Sequence, residues 1–282
     1  MKIDSPVLVT GATSLVGGFL LARLAADGCD AAALSRRPPP NEPRWIEADL
    51  SWPDLEAALP FAHTVFALSP IWSLPQALHA LKARGMTRLV AFSSTSRFTK
   101  EHSPDADERE TARNLADGEA LTIGFCEAND VAWTILRPTL IYAEGRDGNV
   151  SRLAGLIRKL GVVPQPGAGA GLRQPVHADD LAAAAIAAAH EPAARNRAYD
   201  LSGAETLTYR AMAERVFEGL GKAPRIVSLP PALWALGLKL AAPLLPGATA
   251  AMGARMDSDL TFDHSAAVRD FGWSPRPFRP RF

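Results

Sequence analysis

Cysteine is almost missing from this chain: 282 residues contain only Cys29 and Cys126. Two thiols without metal-ligand spacing argue against a disulfide framework and for a reduced, cytosolic state. A surplus of either charge is missing too. Lys+Arg and Asp+Glu stand at 30 each, so no broad basic excess is available to hold nucleic acid. No His/Cys/carboxylate cluster has convincing ligand spacing, so no metal is expected. A long unbroken apolar run is also absent. The stretch from Leu229 to Ala248 is interrupted by Pro230, Pro231, Lys239, Pro243 and Pro246, whereas a membrane span needs about 20 mostly apolar residues. A packed helix of a second lobe is expected there, with peripheral membrane contact as the alternative. Met1 to Pro6 shows no charged, apolar and cleavage regions in series, so no signal peptide and a cytoplasmic location are expected. There is no internal repeat.

What is present is apolar: hydrophobic residues make up 48% of the chain, enough for a sizeable core. Short apolar runs alternate with helical patterns. Val7–Thr10, Ala31–Leu34, Trp45–Ala48, His63–Leu68, Arg88–Phe92 and Trp133–Arg137 read as strands. Leu15 to Leu24 repeats at helical spacing and stops at Gly28; Pro53 to Leu59 reads as a short helix. Ser73 is expected to cap a helix to Arg84, with Pro75 in its first turn and Gly85 just beyond it. A long helix is expected from about Glu108 to Ala128, and an alanine-rich one from Leu181 to His190 capped by Asp180. Tyr199 to Leu201 reads as a further strand, and Tyr209 to Phe282 as helix-rich with a proline-broken tail. Strands alternating with helices imply an α/β fold, a doubly wound parallel sheet.

The first strand runs into Gly11-Ala12-Thr13-Ser14-Leu15-Val16-Gly17 and then a helix. A pyrophosphate needs close backbone approach, N–H donors and a helix N-terminus, and this turn offers all three. Ser14 stands where a middle glycine is common; it is small, and its hydroxyl suits a phosphate. The alternative is an ordinary strand–turn–helix junction. Twenty-odd residues on, where an acid would hold the ribose of NAD, the chain has Ser35-Arg36-Arg37. Two guanidinium groups and a hydroxyl fit the 2′-phosphate of NADP; NAD, with a merely solvated basic turn, is the alternative. Asp49-Leu50 suits the adenine edge, or caps the turn before Trp52-Pro53. Ala67-Leu68-Ser69 ends the fourth strand at the edge where such ligands lie.

Further segments carry a resemblance. Val9-Thr10-Gly11-Ala12-Thr13, Phe92-Ser93-Ser94, Leu136 to Tyr142, Gln174 to Leu181 and Phe271-Gly272-Trp273-Ser274-Pro275, in that order, resemble motifs of the extended short-chain dehydrogenase/reductase superfamily, which includes nucleotide-sugar epimerases and dehydratases. The resemblance implies a Rossmann fold with a small C-terminal substrate lobe: residues 1–148 for the dinucleotide, 149–282 mainly for the lobe, with about 174–202 returning to the first domain. It also implies a site between the two, with Ser94 facing a substrate carbonyl and Pro138 beside the nicotinamide carboxamide.

One departure bears on mechanism. The superfamily's usual catalytic pair is a tyrosine and a lysine four residues later; the ammonium lowers the phenol pKa so that it can exchange a proton. Setting Glu119 on the acid that often follows the pair puts Thr111 and Leu115 in the two places. The three tyrosines, Tyr142, Tyr199 and Tyr209, are followed four positions on by Arg146, Gly203 and Ala213. The chain therefore resembles atypical members, which include flavonoid and quinone reductases, redox-sensing regulators and a respiratory complex I accessory subunit.

The remaining candidates each have two readings. Ser94 orients a substrate carbonyl or is a strand-end serine bonded to backbone. Tyr142 is the remaining phenol near the expected mouth and, without a lysine, would act as an acid or hydrogen-bond donor. His177 donates to substrate or packs at the lobe boundary. Arg173 meets an anionic substrate or is solvent-exposed. The expected function is an NADP-dependent oxidoreductase acting on a small carbonyl, enone or quinone. The alternative is a non-catalytic dinucleotide-binding sensor or assembly partner, and a sugar-nucleotide epimerase is disfavoured by the missing base.

Overall fold

The computed structural model describes residues 3, 5–40, 44–230 and 256–282. The N-terminal half builds β1 (Val7–Thr10), α1 (Leu15–Ala26), β2 (Ala31–Ser35), β3 (Trp45–Glu47), α2 (Leu55–Ala58), β4 (Thr64–Ala67), α3 (Leu78–Ala83) and β5 (Arg88–Phe92). It continues with α4 (Ser96–Thr99), α5 (Ala106–Ala128) and β6 (Ala132–Pro138). The chain then forms β7 (Ile141–Tyr142), α6 (Val150–Leu160), β8 (Val163–Pro166), β9 (Leu172–Arg173), β10 (Val176–His177) and α7 (Ala178–His190). It closes with β11 (Arg197–Leu201), β12 (Leu207–Thr208), α8 (Tyr209–Gly219), β13 (Ile226–Leu229) and a last described helix, Ser265–Phe271.

Seven strands form one sheet in the order β11-β6-β5-β4-β1-β2-β3, all parallel. This is a Rossmann-like α/β fold. β1, β4 and β5 are buried at every position, which is why they read as unbroken apolar runs rather than alternating ones. One core layer holds α1 and the alanine-rich α7 against the sheet; the other holds α2, α3 and α5. The strand order reverses between β1 and β4, and a crevice opens at the carboxyl ends there. A third cluster, from α6, α8 and β8 with Tyr142 and Phe278, forms the core of the smaller lobe. Trp273 donates its indole N–H to the Ser202 carbonyl at 3.1 Å, tying the C-terminal segment to the end of β11.

Several local expectations are corrected. Ser73 does not cap a continuous helix. Its hydroxyl donates to the Pro70 carbonyl at 2.7 Å, and two 3-10 turns, Ile71–Ser73 and Pro75–Ala77, precede α3. The amides of Ser73, Leu74 and Ala77 bond the Pro70, Ile71 and Leu74 carbonyls three residues back, and the chain takes this tighter path into α3. Asp180 does not cap α7. His177 does, its Nδ1 accepting the Asp179 amide at 3.1 Å. Asp179 and Asp180 instead hold Arg276 at 2.6 and 2.8 Å, and Asp179 also takes Arg23 at 2.6 Å. α5 starts two residues earlier than expected, because Asp105 accepts the Asp107 and Glu108 amides. The stretch after Tyr209 contains β13 as well as helix. The apolar segment after Pro230 lies outside the described residues. Among those described, no helix is long and apolar enough to cross a membrane.

Candidate active site

β1 ends at Thr10, and the chain turns through Gly11 with φ of +63°. A Cβ there would lie 2.4 Å from the Ser69 amide nitrogen and 2.7 Å from the Leu68 carbonyl carbon. Both are backbone atoms, so only glycine lets the ends of β1 and β4 approach this closely. Gly17 is small for a different reason. Its Cβ would meet the Ala12 carbonyl oxygen at 2.2 Å, so the missing side chain seats α1 on the turn. Ser14 caps α1, its Oγ accepting the Gly17 amide at 3.2 Å. The first-turn amides of Leu15 and Val16 have no intrahelical acceptor by helix geometry.

Gly11, Thr13, Ser14, Ser35, Arg36, Asp49, Leu50, Leu68 and Ser69 line one cavity of about 410 Å³. Ser35 Oγ lies 3.1 Å from Thr13 Oγ1 and accepts the Arg37 amide at 3.2 Å. The Arg36 side chain is 80% exposed, its Nε 4.0 Å from an Asp49 oxygen. The N–H and hydroxyl bonds from Ser51 hold the Asp49 carboxyl below its usual range. Three expected contacts sit elsewhere. Gly17 is in the first turn of α1, packed against Ala12, Ala67 is buried in the core, and Arg37 lies outside this lining.

A second cavity of about 300 Å³ shares Ser14, Leu68, Ser69, Pro70 and Trp72 with the first. Leu15, Val16, Phe92, Leu115, Pro138 and Ile141 make it largely apolar, with Ser93 and Ser94 at its floor. A third, again about 410 Å³, shares Ser94 and Ile141 with the second and adds Thr99, Lys100, Thr139, Asn149, Arg173 and Gln174. Through these shared residues the three cavities adjoin in a row, a segmented crevice from Arg36 past the glycine turn to Arg173. Thr111, by contrast, bonds the Asp107 carbonyl at 2.8 Å within α5, while Leu115 presents only hydrocarbon to the middle cavity.

Ser94 lies where the second and third cavities meet. Its Oγ accepts the Ser96 amide at 3.1 Å, which leaves its own proton to donate. Beneath it, Ser93 donates to Glu119 at 2.6 Å. Glu119 is fully buried and also takes Arg137 at 2.6 Å and Arg97. Burial pushes this carboxyl up, but the bonds from Arg137 and Ser93 outweigh it and hold Glu119 below its ordinary value.

Tyr142 and Arg173 are placed differently from their expected roles, and His177 takes its packing alternative. Tyr142 is 1% exposed and packs edge-on against Phe278 and His177 in the small-lobe core, lining none of the three cavities. Side chains alternate along a strand, and in β7 it is Ile141 that faces the crevice. Burial, with Glu144 nearby, drives the Tyr142 phenol above its usual pKa. His177 is also buried. It caps α7, lies 3.2 Å from Glu144 and touches the rings of Tyr142 and Phe19. Arg173 is not solvent-exposed but 5% accessible, donating to the Leu172 and Ser258 carbonyls at 2.7 and 2.8 Å. Lys100, Thr99, Asn149 and Trp72 carry no motif that marks them for a site; they come from loops and short turns that only the fold brings together. Among the described residues no group of acids, histidines and cysteines could hold a metal ion.

Residues 75–202 match the profile of the NAD dependent epimerase/dehydratase family. The (4-alkanoyl-5-oxo-2,5-dihydrofuran-3-yl)methyl phosphate reductase of Streptomyces griseus is 30% identical over 239 residues, covering 79% of this chain and 77% of the reductase. The chain belongs to the NAD dependent epimerase/dehydratase family. A second relative in sequence, Uncharacterized protein y4nG of Sinorhizobium fredii, is 30% identical over 207 residues, 69% of this chain and about half the length of y4nG. The family's fold is shared by MoeE5, solved in complex with UDP-glucose and NAD, with a TM-score of 0.72 at 20% identity over 97% of this chain and 94% of that one.

Proposed function

We propose that this protein is an NADP-dependent reductase of a small carbonyl, enone or quinone-type substrate. The observation that carries the reading is the row of three adjoining cavities. The Gly11 to Val16 turn lines its first two cavities, and Ser94 joins the second to the third. The turn fits a dinucleotide. Gly11 leaves room no other residue would, and the α1 N-terminus supplies amide donors and positive potential for a pyrophosphate. Ser35 and Arg36 at the far end favour a 2′-phosphate, with Arg37 beside them. Asp49 shares that wall and is the feature that would suit NAD instead. The solved relative in fold holds NAD, and the Streptomyces relative is named a reductase.

The dinucleotide, when bound, supplies hydride. The chain's own part is threefold. Val16, Leu115, Pro138 and Ile141 keep the middle cavity apolar and limit water there. Ser94 Oγ donates its hydrogen bond to the substrate oxygen that gains charge. Solvent reaching the third cavity delivers the proton, because no tyrosine–lysine pair is among the described residues lining the crevice. Residues 1–148 serve as the dinucleotide-binding domain and 149–282 mainly as the substrate lobe. The position of β11 beside β6 supports the return of residues 174–202 to the first domain.

A non-catalytic sensor or assembly partner is the second reading, favoured by Thr111 and Leu115 in the places of the usual pair. Absorbance of NADPH, followed with a panel of aldehydes, ketones, quinones and enones, separates the two. Turnover supports the reductase; tight NADPH binding without turnover across the panel supports the sensor.

A further inference from the structure

The third cavity is polar and one-sided in charge. Lys100 and Arg173 are in its lining, and no aspartate or glutamate is among its described lining residues. Most of its uncharged polar groups are already engaged. Thr139 donates to the Gln174 carbonyl at 2.5 Å, Thr95 to the Pro138 carbonyl at 3.1 Å, and Asn149 to the Ile141 carbonyl at 3.3 Å. Gln174 bonds Thr206 and the Phe262 amide. Arg173 is held by two carbonyls.

Lys100 differs. Its nearest carboxylate, Glu108, is 3.8 Å away, beyond hydrogen-bond range, and its side chain keeps 26% of its exposure. Glu108 itself takes the Ser103 hydroxyl at 2.7 Å. An ammonium carries three donors, and here none meets a described protein acceptor at bonding distance. Ser96 and Thr99 belong to the same lining. Lys100 is in the part of the third cavity that is not shared with the apolar one, whereas Ser94 is in the shared part.

We infer that Lys100 anchors an anionic oxygen group, phosphate ester or carboxylate, of a substrate whose reducible carbon lies at Ser94. This deepens the reductase reading and rests on it for the position of the reacting carbon. The attraction is general to anionic oxygens, with Arg173 adding positive potential from behind the wall, and the cavity's neutral donors supply directional contacts.

The test is calorimetric binding to the whole protein, with and without saturating NADPH. Dihydroxyacetone phosphate is compared with dihydroxyacetone, and pyruvate with methyl pyruvate. The expected result is that an anion binds about tenfold or more tightly than its neutral partner. Lys100→Gln then weakens that anion by about 10- to 100-fold, leaves NADPH affinity within about twofold, and is partly rescued by Lys100→Arg. Preference in the first pair assigns the group as phosphate; preference in the second assigns it as carboxylate. Anions binding no better than their neutral partners, or losing nothing in Lys100→Gln, would overturn the inference. If NADPH itself fails to bind while Lys100-dependent discrimination persists, the cofactor reading falls and the anion site stands.

Discussion

Glu119 offers the sharpest probe of the floor beneath the crevice. It is fully buried and accepts from Ser93, Arg97 and Arg137, whose arginine side chains are 30% and 16% exposed. Glu119→Ala would leave the Arg97 and Arg137 guanidinium groups with only the Asp200 carboxyl, 3.7 Å from Arg137, as a counter-charge. Removing one partner of a buried pair costs about 3–5 kcal/mol; Arg97 can recover some water, which places the expected loss near the lower end. That is a large part of a stability of about 5–15 kcal/mol. Glu119→Gln keeps the shape and one carbonyl acceptor, so its cost should be smaller, about 1.5–3 kcal/mol for the weakened charged bonds. Urea denaturation measures both. The pH dependence has a defined sign. The folded pKa is lowered by these bonds despite burial, so the contribution is complete above the unfolded glutamate value and is lost as pH falls through the folded one. The wild type should therefore lose stability more steeply than Glu119→Gln below about pH 5. A Glu119→Ala loss under about 1 kcal/mol, or matching acid limbs for wild type and Glu119→Gln, would refute the reasoning.

Other consequences are more local. Arg36→Ala with Arg37→Ala should shift the NADPH/NADH affinity ratio toward NADH by about tenfold or more, as expected for lost charge-assisted bonds to a phosphate; an unchanged ratio removes the 2′-phosphate assignment. Tyr142→Phe should leave kcat with an accepted substrate within about twofold, because its ring lies in the small-lobe core and not in the crevice. A kcat loss of a hundredfold would restore the phenol as a proton donor.

Much of the framework is legible in the residues alone, and for physical reasons. β1 and β5 coincide with their expected bounds because strands buried on both faces leave continuous apolar runs. Gly11 is legible because a strand-to-helix turn at positive φ with backbone at 2.4 Å tolerates no Cβ. Ser35, Arg36, Asp49, Leu68 and Ser69 follow from strand ends converging at one sheet edge. The errors lie where side-chain direction or capping is decided by neighbours far away in sequence. The parity of a two-residue strand cannot be read from its residues, so the sequence directs Tyr142 to the crevice that Ile141 in fact faces. His177 takes the cap of α7, while Asp180 lies inside the helix and bonds Arg276, nearly a hundred residues on. Arg173 is buried by the Leu172 and Ser258 carbonyls, and Lys100 enters the third cavity from a short turn that no motif marks.

The proposed function stands or falls with binding of a nicotinamide dinucleotide at the Gly11 to Val16 turn. Its most direct test is titration of NADPH into the purified protein, read by cofactor fluorescence and calorimetry, beside Gly11→Ala checked for native circular dichroism. The expected result is saturable one-to-one binding, displaced by NADP, and weakened at least about tenfold in Gly11→Ala, since a Cβ at positive φ costs about 1–2 kcal/mol before its backbone clash is counted. Absence of saturable binding, or equal binding by a natively folded Gly11→Ala, would contradict it.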